Sequence, residues 1–206
     1  DHAVGMGSDA VGNCLAGDPE RAALDVLVDW QIDAKIDCLV PCGTTGESAT
    51  LTASERYEVI KRVVLRSGGR VPVIAGAGSN STAVAIEHQK RAADTGAQYA
   101  LVVTPYYNKP SPDGLYYHYA ALAEAADIPI VLYNVPNRTG SDMLPDTIER
   151  IASLSRVVAI KEATADLGRL TEIRRRLPTD FAILSGDDAT SCPFCLMGGD
   201  GVISVT

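Results

Sequence analysis

Of the chain's five lysines, Lys35, Lys61, Lys90 and Lys109 sit among polar residues or beside a proline. The fifth, Lys161, ends the apolar run Val157-Val158-Ala159-Ile160 in "VVAIKEAT". An ammonium held away from water loses solvation, which lowers its pKa and leaves a free amine able to add to a carbonyl as a Schiff base. The competing reading is a lysine at a strand end whose stem covers apolar neighbours while its head reaches water. Position alone does not separate the two. Strand alternation predicts Val157, Ala159 and Lys161 on one face, where small neighbours leave room for a ligand.

Three further groups suit such a site. Tyr133 stands in "VLYNVP", a polar-tipped aromatic in the preceding apolar run, where its hydroxyl could move protons for a cationic nucleophile. A core tyrosine bonded to backbone is the commoner use of such a position. In "CGTTGES", Gly43 and Gly46 predict a tight turn whose amides at Thr44 and Thr45 converge on an anion, with the hydroxyls as extra donors. Many strand–helix loops look similar, and the GK[ST] ending of a phosphate loop is missing. Arg138 in "NVPNRTG" could hold a carboxylate bidentately, although a solvated surface arginine is the plainer reading.

The elements that must position these groups follow from periodicity. Seven short Val- and Ile-rich runs read as buried parallel strands: 37–42, 71–76, 98–104, 128–135, 157–161, 181–186 and 201–205. Amphipathic helices lie between them. "LTASERYEVIKRVVLRSGG" opens with Thr52 three residues before Glu55, a capping box, and ends at Gly68-Gly69. Its Tyr57, Ile60 and Val64 share a face, as do Leu24, Leu27, Val28 and Ile32 in the helix before the first recognised strand. A doubly wound sheet would want a GxGxxG turn after an early strand, and none is present. Polar clusters instead follow nearly every strand, as in "GTTGES", "TPYYN", "YNVPNRTG", "KEAT" and "SGDD". One rim fed by every strand predicts a (β/α)8 TIM barrel, with residues 1–206 as a single domain. Residues 1–17 are atypical, with no β-branched run where a first strand belongs, and no closing helix follows the last strand. An incomplete barrel of this kind would expose strand edges and risk aggregation.

Bulk properties narrow the function. The chain has 206 residues, 46% hydrophobic and 21% charged, with a net charge of −8. That charge argues against nucleic acid, and the basic stretch "IRRRLP" reads as the last turn of a helix. No run approaches a membrane span, and the N-terminus lacks the pattern of a signal peptide. Five cysteines, an odd number, predict a reducing, cytoplasmic setting. Cys192 and Cys195 in "CPFC" read as small apolar residues opening a helix. Three scattered histidines complete no metal set, and no cofactor is expected.

The motifs "GTTGES", "TPYYN", "YNVPNRTG", "IKEAT", "LSGDD" and "GVISVT", in this order and spacing, resemble the dihydrodipicolinate synthase family of pyruvate-dependent class I aldolases, over roughly residues 18–206. The resemblance implies that Lys161 forms a Schiff base with pyruvate and that Tyr133 relays protons. Thr44 would link Tyr133 to Tyr107, a residue the family supplies from a neighbouring subunit of a homotetramer. Thr45, with Thr44, would hold the pyruvate carboxylate. Arg138 would receive the carboxylate of L-aspartate 4-semialdehyde, and Ile203 would line the pocket through its carbonyl. The implied product is 4-hydroxy-tetrahydrodipicolinate, on the diaminopimelate route to lysine. Arg138 and the threonine pair favour the synthase over the related neuraminate lyases.

Two departures qualify the resemblance. Ser48, Ala49, Asn80 and Tyr106 match the site at which inhibited members bind lysine. Ala53, Arg56 and Val84 replace its histidines and acid, so the expectation is weak or absent lysine inhibition. Family members also begin with a strand like "IVALVTP" and continue past "GVISVT" with a final helix and a helical extension. The rival expectations are therefore a non-catalytic barrel fragment and a related pyruvate aldolase acting on a sugar acid.

Overall fold

The computed structural model describes residues 3–5 and 18–205. Cys14 and most of the atypical segment 1–17 lie outside the described residues.

Eight parallel strands alternate with helices: β1 Ala3–Gly5, β2 Leu39–Val40, β3 Ile74–Gly76, β4 Tyr99–Val103, β5 Ile130–Asn134, β6 Val157–Glu162, β7 Ala182–Ser185 and β8 Gly201–Ser204. The strand order is β2-β1-β8-β7-β6-β5-β4-β3, and a parallel bridge between Leu39 and Val73 joins the two ends into a ring. All seven expected runs form strands. The eighth, β1, lies between β2 and β8 within the segment that shows no β-branched run, pairing Val4 with Leu39 and Ser204. Three residues of backbone ladder suffice there, which is why no side-chain pattern announced it.

The helices are α1 Asp18–Asp33, α2 Ala53–Ser67, α3 Thr82–Asp94, α4 Pro112–Ala125, the short α5 Pro136–Thr139, α6 Pro145–Ala152, α7 Leu167–Arg176 and α8 Ser191–Leu196. The expected capping box starts α2: Thr52 Oγ1 accepts from the Glu55 amide, and Glu55 accepts from the Thr52 amide at 2.8 Å. Gly68 ends the helix at φ 58°, the left-handed conformation that glycine adopts without strain. The basic run at 174–176 forms the last turn of α7, as its charge predicts.

Side chains sort into two layers. An outer layer between strands and helices includes Val28, Ile60, Leu132, Ile148 and Ile160. A smaller layer inside the ring includes Val40, Leu101, Val131, Tyr133, Ala159 and Ile203. One expectation is corrected here. Val157 belongs to the outer layer and Ala159 to the inner one, although they are two residues apart. Pairing steps from Ile130↔Val157 to Val131↔Ala159, so a bulge at Val158 takes up one residue and inverts the alternation before Lys161.

Candidate active site

Lys161 and Tyr133 are register partners on β6 and β5, near the C-terminal ends of both strands. The Lys161 Nζ lies 4.7 Å from the centroid of the Tyr133 ring. Lys161 is 4% exposed, and among the described residues it donates no hydrogen bond to a protein acceptor. Burial brings its pKa down to about 8; Asp188 opposes the shift and the positive charge of Arg138 adds to it. Glycine makes this burial sterically possible. A Cβ on Gly186 would stand 2.7 Å from Lys161 Cε, so the lysine stem occupies the space a side chain on β7's exit would take.

Tyr133 is also buried, and burial raises its pKa, against the lowering effects of Arg138 and of a side-chain hydrogen bond with Thr44. Thr44 lies in the loop after β2, which the sequence predicts to turn on Gly43 and Gly46. The structure places the left-handed residues instead at Cys42 (φ 58°) and Glu47 (φ 54°). The glycine that matters to this loop is Gly76 on β3, where a Cβ would meet the Cys42 carbonyl at 1.9 Å. Close approach of two backbones, rather than turn strain, is the constraint. Arg56 on α2 then pins the loop, donating to the Ser48 carbonyl at 2.8 Å and to the Gly76 carbonyl at 3.2 Å.

Two adjoining pockets result. Thr44, Thr45, Tyr133, Lys161 and Ile203 line the first. Thr44, Ser48, Ala49, Arg56, Tyr106 and Arg138 line part of the second. Thr44 borders both pockets. Arg138 rides on α5, which begins at Pro136 and ends at Gly140 in the left-handed conformation. Its side chain is exposed.

Not every candidate joins this cluster. Tyr107 has φ 71°, its amide donates to the Thr139 carbonyl at 3.3 Å, and its side chain is 89% exposed. Asn80 lines neither pocket, and its carbonyl accepts from Asn108 Nδ2 at 3.0 Å. Cys38 and Cys42 are buried with thiols pushed up to about 12, mainly by desolvation, which leaves them inert. Cys192 and Cys195 sit on α8, exposed and half-buried respectively. Among the described residues no cluster of three or more His, Cys, Asp or Glu is placed to hold a metal, and no helix is long and apolar enough to cross a membrane. Sequence reasoning placed Gly186 and Asp188 in the rim cluster "SGDD" without giving either a role, and missed Gly76 on β3. It also missed Asn134 and Glu162, the immediate neighbours of Tyr133 and Lys161.

The fold and pocket define a parallel (β/α)8 barrel with a desolvated lysine at the C-terminal rim, beside a tyrosine on the adjacent strand. The chain belongs to the dihydrodipicolinate synthetase family, whose profile matches residues 15–206. It is 58% identical over 180 residues to a 4-hydroxy-tetrahydrodipicolinate synthase of Methylococcus capsulatus, covering 87% of this chain and 62% of that relative. The chloride-inhibited dihydrodipicolinate synthase of Acinetobacter baumannii, solved with pyruvate, superposes with a TM-score of 0.93 at 44% identity, covering 99% of this chain and 69% of that one. A monomeric dihydrodipicolinate synthase variant superposes with a TM-score of 0.91 at 41% identity, covering 99% of this chain and 69% of the other. The chain spans less than two thirds of the length of the curated relatives it matches, between 62% and 65% for the first three.

Proposed function

We propose that this chain condenses pyruvate with L-aspartate 4-semialdehyde to give 4-hydroxy-tetrahydrodipicolinate, in the diaminopimelate route to lysine. The observation that carries the reading is Lys161: an amine 4% exposed, with its pKa brought to about 8 and the Tyr133 ring 4.7 Å away. Near neutral pH a useful fraction of such an amine is unprotonated and able to attack the ketone carbon of pyruvate. The carbinolamine loses water to give an imine, and loss of a methyl proton gives the enamine that adds to the aldehyde, whose oxygen takes up a proton. The semialdehyde's amino group then displaces Lys161 from the imine carbon, closing the ring and freeing the lysine amine. Tyr133, hydrogen-bonded to Thr44, serves as the proton relay. The amides of Thr44 and Thr45 receive the pyruvate carboxylate in the first pocket, and Ile203 closes its wall. In the second pocket Arg138 holds the carboxylate of the semialdehyde.

Tyr107 fits a role across a subunit boundary, because its exposed ring lies outside the pocket of its own chain. A homo-oligomer, a tetramer by family pattern, and a cytoplasmic location complete the proposal. Weak lysine inhibition also follows, since Arg56 places positive charge beside Ser48, Ala49 and Tyr106, where an effector ammonium would sit.

The test is incubation with pyruvate and borohydride, peptide mass spectrometry, and then a turnover assay with the semialdehyde. Reduced pyruvate on Lys161 together with turnover is expected. A folded chain with no adduct would leave the non-catalytic fragment in its place. An adduct whose enamine accepts sugar-acid aldehydes but not the semialdehyde would favour the sugar-acid aldolase.

A further inference from the structure

One residue past the Lys161–Tyr133 pair, the same strands carry a second register pair, Glu162 and Asn134. Alternation turns these two to the opposite face of the sheet, where Asn134 is 0% and Glu162 3% exposed. Asn134 Nδ2 donates to Glu162 Oε2 at 3.1 Å and to Asp142 Oδ1 at 2.9 Å, dividing its two hydrogens between two carboxylates. Asn134 Oδ1 accepts the Met143 amide at 3.0 Å. Glu162 Oε1 accepts the Thr164 amide, also at 3.0 Å. Arg169 on α7 holds Asp142 through both oxygens, at 2.5 and 2.8 Å. One connected set thus ties together the ends of β5 and β6, residues 141–143 after the helix that carries Arg138, and α7.

A buried polar set is weak evidence for stability, because an apolar packing of the same volume would hold the layers at least as well. What hydrogen bonds add is a fixed geometry. The backbone ladder sets the spacing between β5 and β6, through Ala163 N–H to the Asn134 carbonyl at 2.9 Å among others. The Asn134–Glu162 bond adds a side-chain link across that pair at the one place where two reacting side chains leave the same strands. We propose that Glu162, acting through Asn134, is a positioning residue that holds Lys161 and Tyr133 in register for proton transfer at the imine. The inference rests on the reading of Lys161 as nucleophile. The charges that shift the amine's pKa are those of Asp188 and Arg138.

The experiment compares the wild-type chain with Glu162→Gln and Asp142→Asn. Glu162→Gln keeps the volume but replaces one of the two accepting oxygens by an amide donor, which must face either Asn134 Nδ2 or the Thr164 amide. The rate of borohydride-trapped imine on Lys161 is measured against pyruvate concentration and pH, alongside hydrogen exchange of residues 157–164. In Glu162→Gln the saturating rate should fall about tenfold to 100-fold, the scale of an ångström-sized misplacement. Half-saturating pyruvate should stay within about twofold and the pH midpoint should not move, as expected of a residue that sets geometry without carrying charge to the amine. Asp142→Asn, one bond further out, should lose about twofold to fivefold. A folded Glu162→Gln with the wild-type rate, a loss confined to pyruvate affinity, or a moved midpoint overturns the proposal. If Glu162→Gln does not fold, the half-exposed Asp142→Asn decides it, and an unchanged saturating rate is the contrary result. If the wild-type chain traps no pyruvate, the proposed function fails separately and hydrogen exchange settles the positioning. Faster exchange across 161–164 in Glu162→Gln at unchanged global stability supports it, and unchanged exchange refutes it.

Discussion

Lys161 and Glu162 are neighbours on β6, buried alike at 4% and 3% exposure, yet the fold treats their charges in opposite ways. Glu162 accepts from the Asn134 side chain and the Thr164 amide, which offset the cost of its burial. Burial still raises its pKa. Lys161 donates no hydrogen bond among the described residues, and the charge of Asp188 and the face of the Tyr133 ring offset only part of its burial. A charge that is buried and satisfied serves geometry. One that is buried and left unsatisfied is destabilised, and the energy appears as a lowered pKa. The two sides of one strand end thus separate support from chemistry.

Substitutions sharpen or break that contrast. The largest effect belongs to Lys161→Met, which should abolish imine trapping, a loss of roughly a thousandfold or more, since no other amine takes the nucleophile's place. Trapping on another lysine at a comparable rate would break the contrast outright. Tyr133→Phe keeps the ring and removes the relay hydroxyl. Imine formation should slow about 100-fold, within the range for general acid–base groups, as read by single-turnover trapping. Arg138→Ala should cost about tenfold to 100-fold in kcat/KM for the semialdehyde, the value of hydrogen bonds between charged groups, while pyruvate trapping persists. Unchanged semialdehyde kinetics would count against the second pocket.

The fourth prediction concerns stability. Well below pH 8 Lys161 is protonated in both folded and unfolded chains, so the burial penalty is fully present there. Between about 8 and the ordinary 10.5 the folded amine is neutral while the unfolded one is still charged, and the penalty fades as pH rises. Lys161→Met should therefore raise the unfolding free energy at pH 7 by on the order of 1–3 kcal/mol. That gain should shrink steadily above pH 8, as followed by denaturant unfolding. Smallest of all, millimolar lysine should leave the steady-state rate within about twofold, because Arg56 adds charge of the same sign as the effector's ammonium. Strong inhibition would place the effector elsewhere.

Much of this was legible in the sequence, for identifiable reasons. The strands from β2 to β8 announce themselves because parallel strands covered on both faces must be continuously apolar. A lysine within such a run is conspicuous for the same reason. β1 was not legible, since its three residues are recognised by ladder pairing alone. The bulge at Val158 was hidden because one inserted residue leaves the apolar run unchanged while inverting its faces. Gly43 and Gly46 drew attention that belonged to Gly76, whose role depends on a backbone 34 positions earlier in the chain. Glu162 stood in view beside Lys161, but its value lies in Asn134 and Asp142, which only the paired strands bring to it.

The central claim is that desolvation makes Lys161 a nucleophile. It is tested most directly by competitive acetylation of the folded chain with trace acetic anhydride across pH 6–11, quantified on the Lys161 peptide. The account predicts a titration midpoint near 8 at Lys161, well below the ordinary 10.5 of a lysine. A midpoint near the ordinary 10.5 would contradict it.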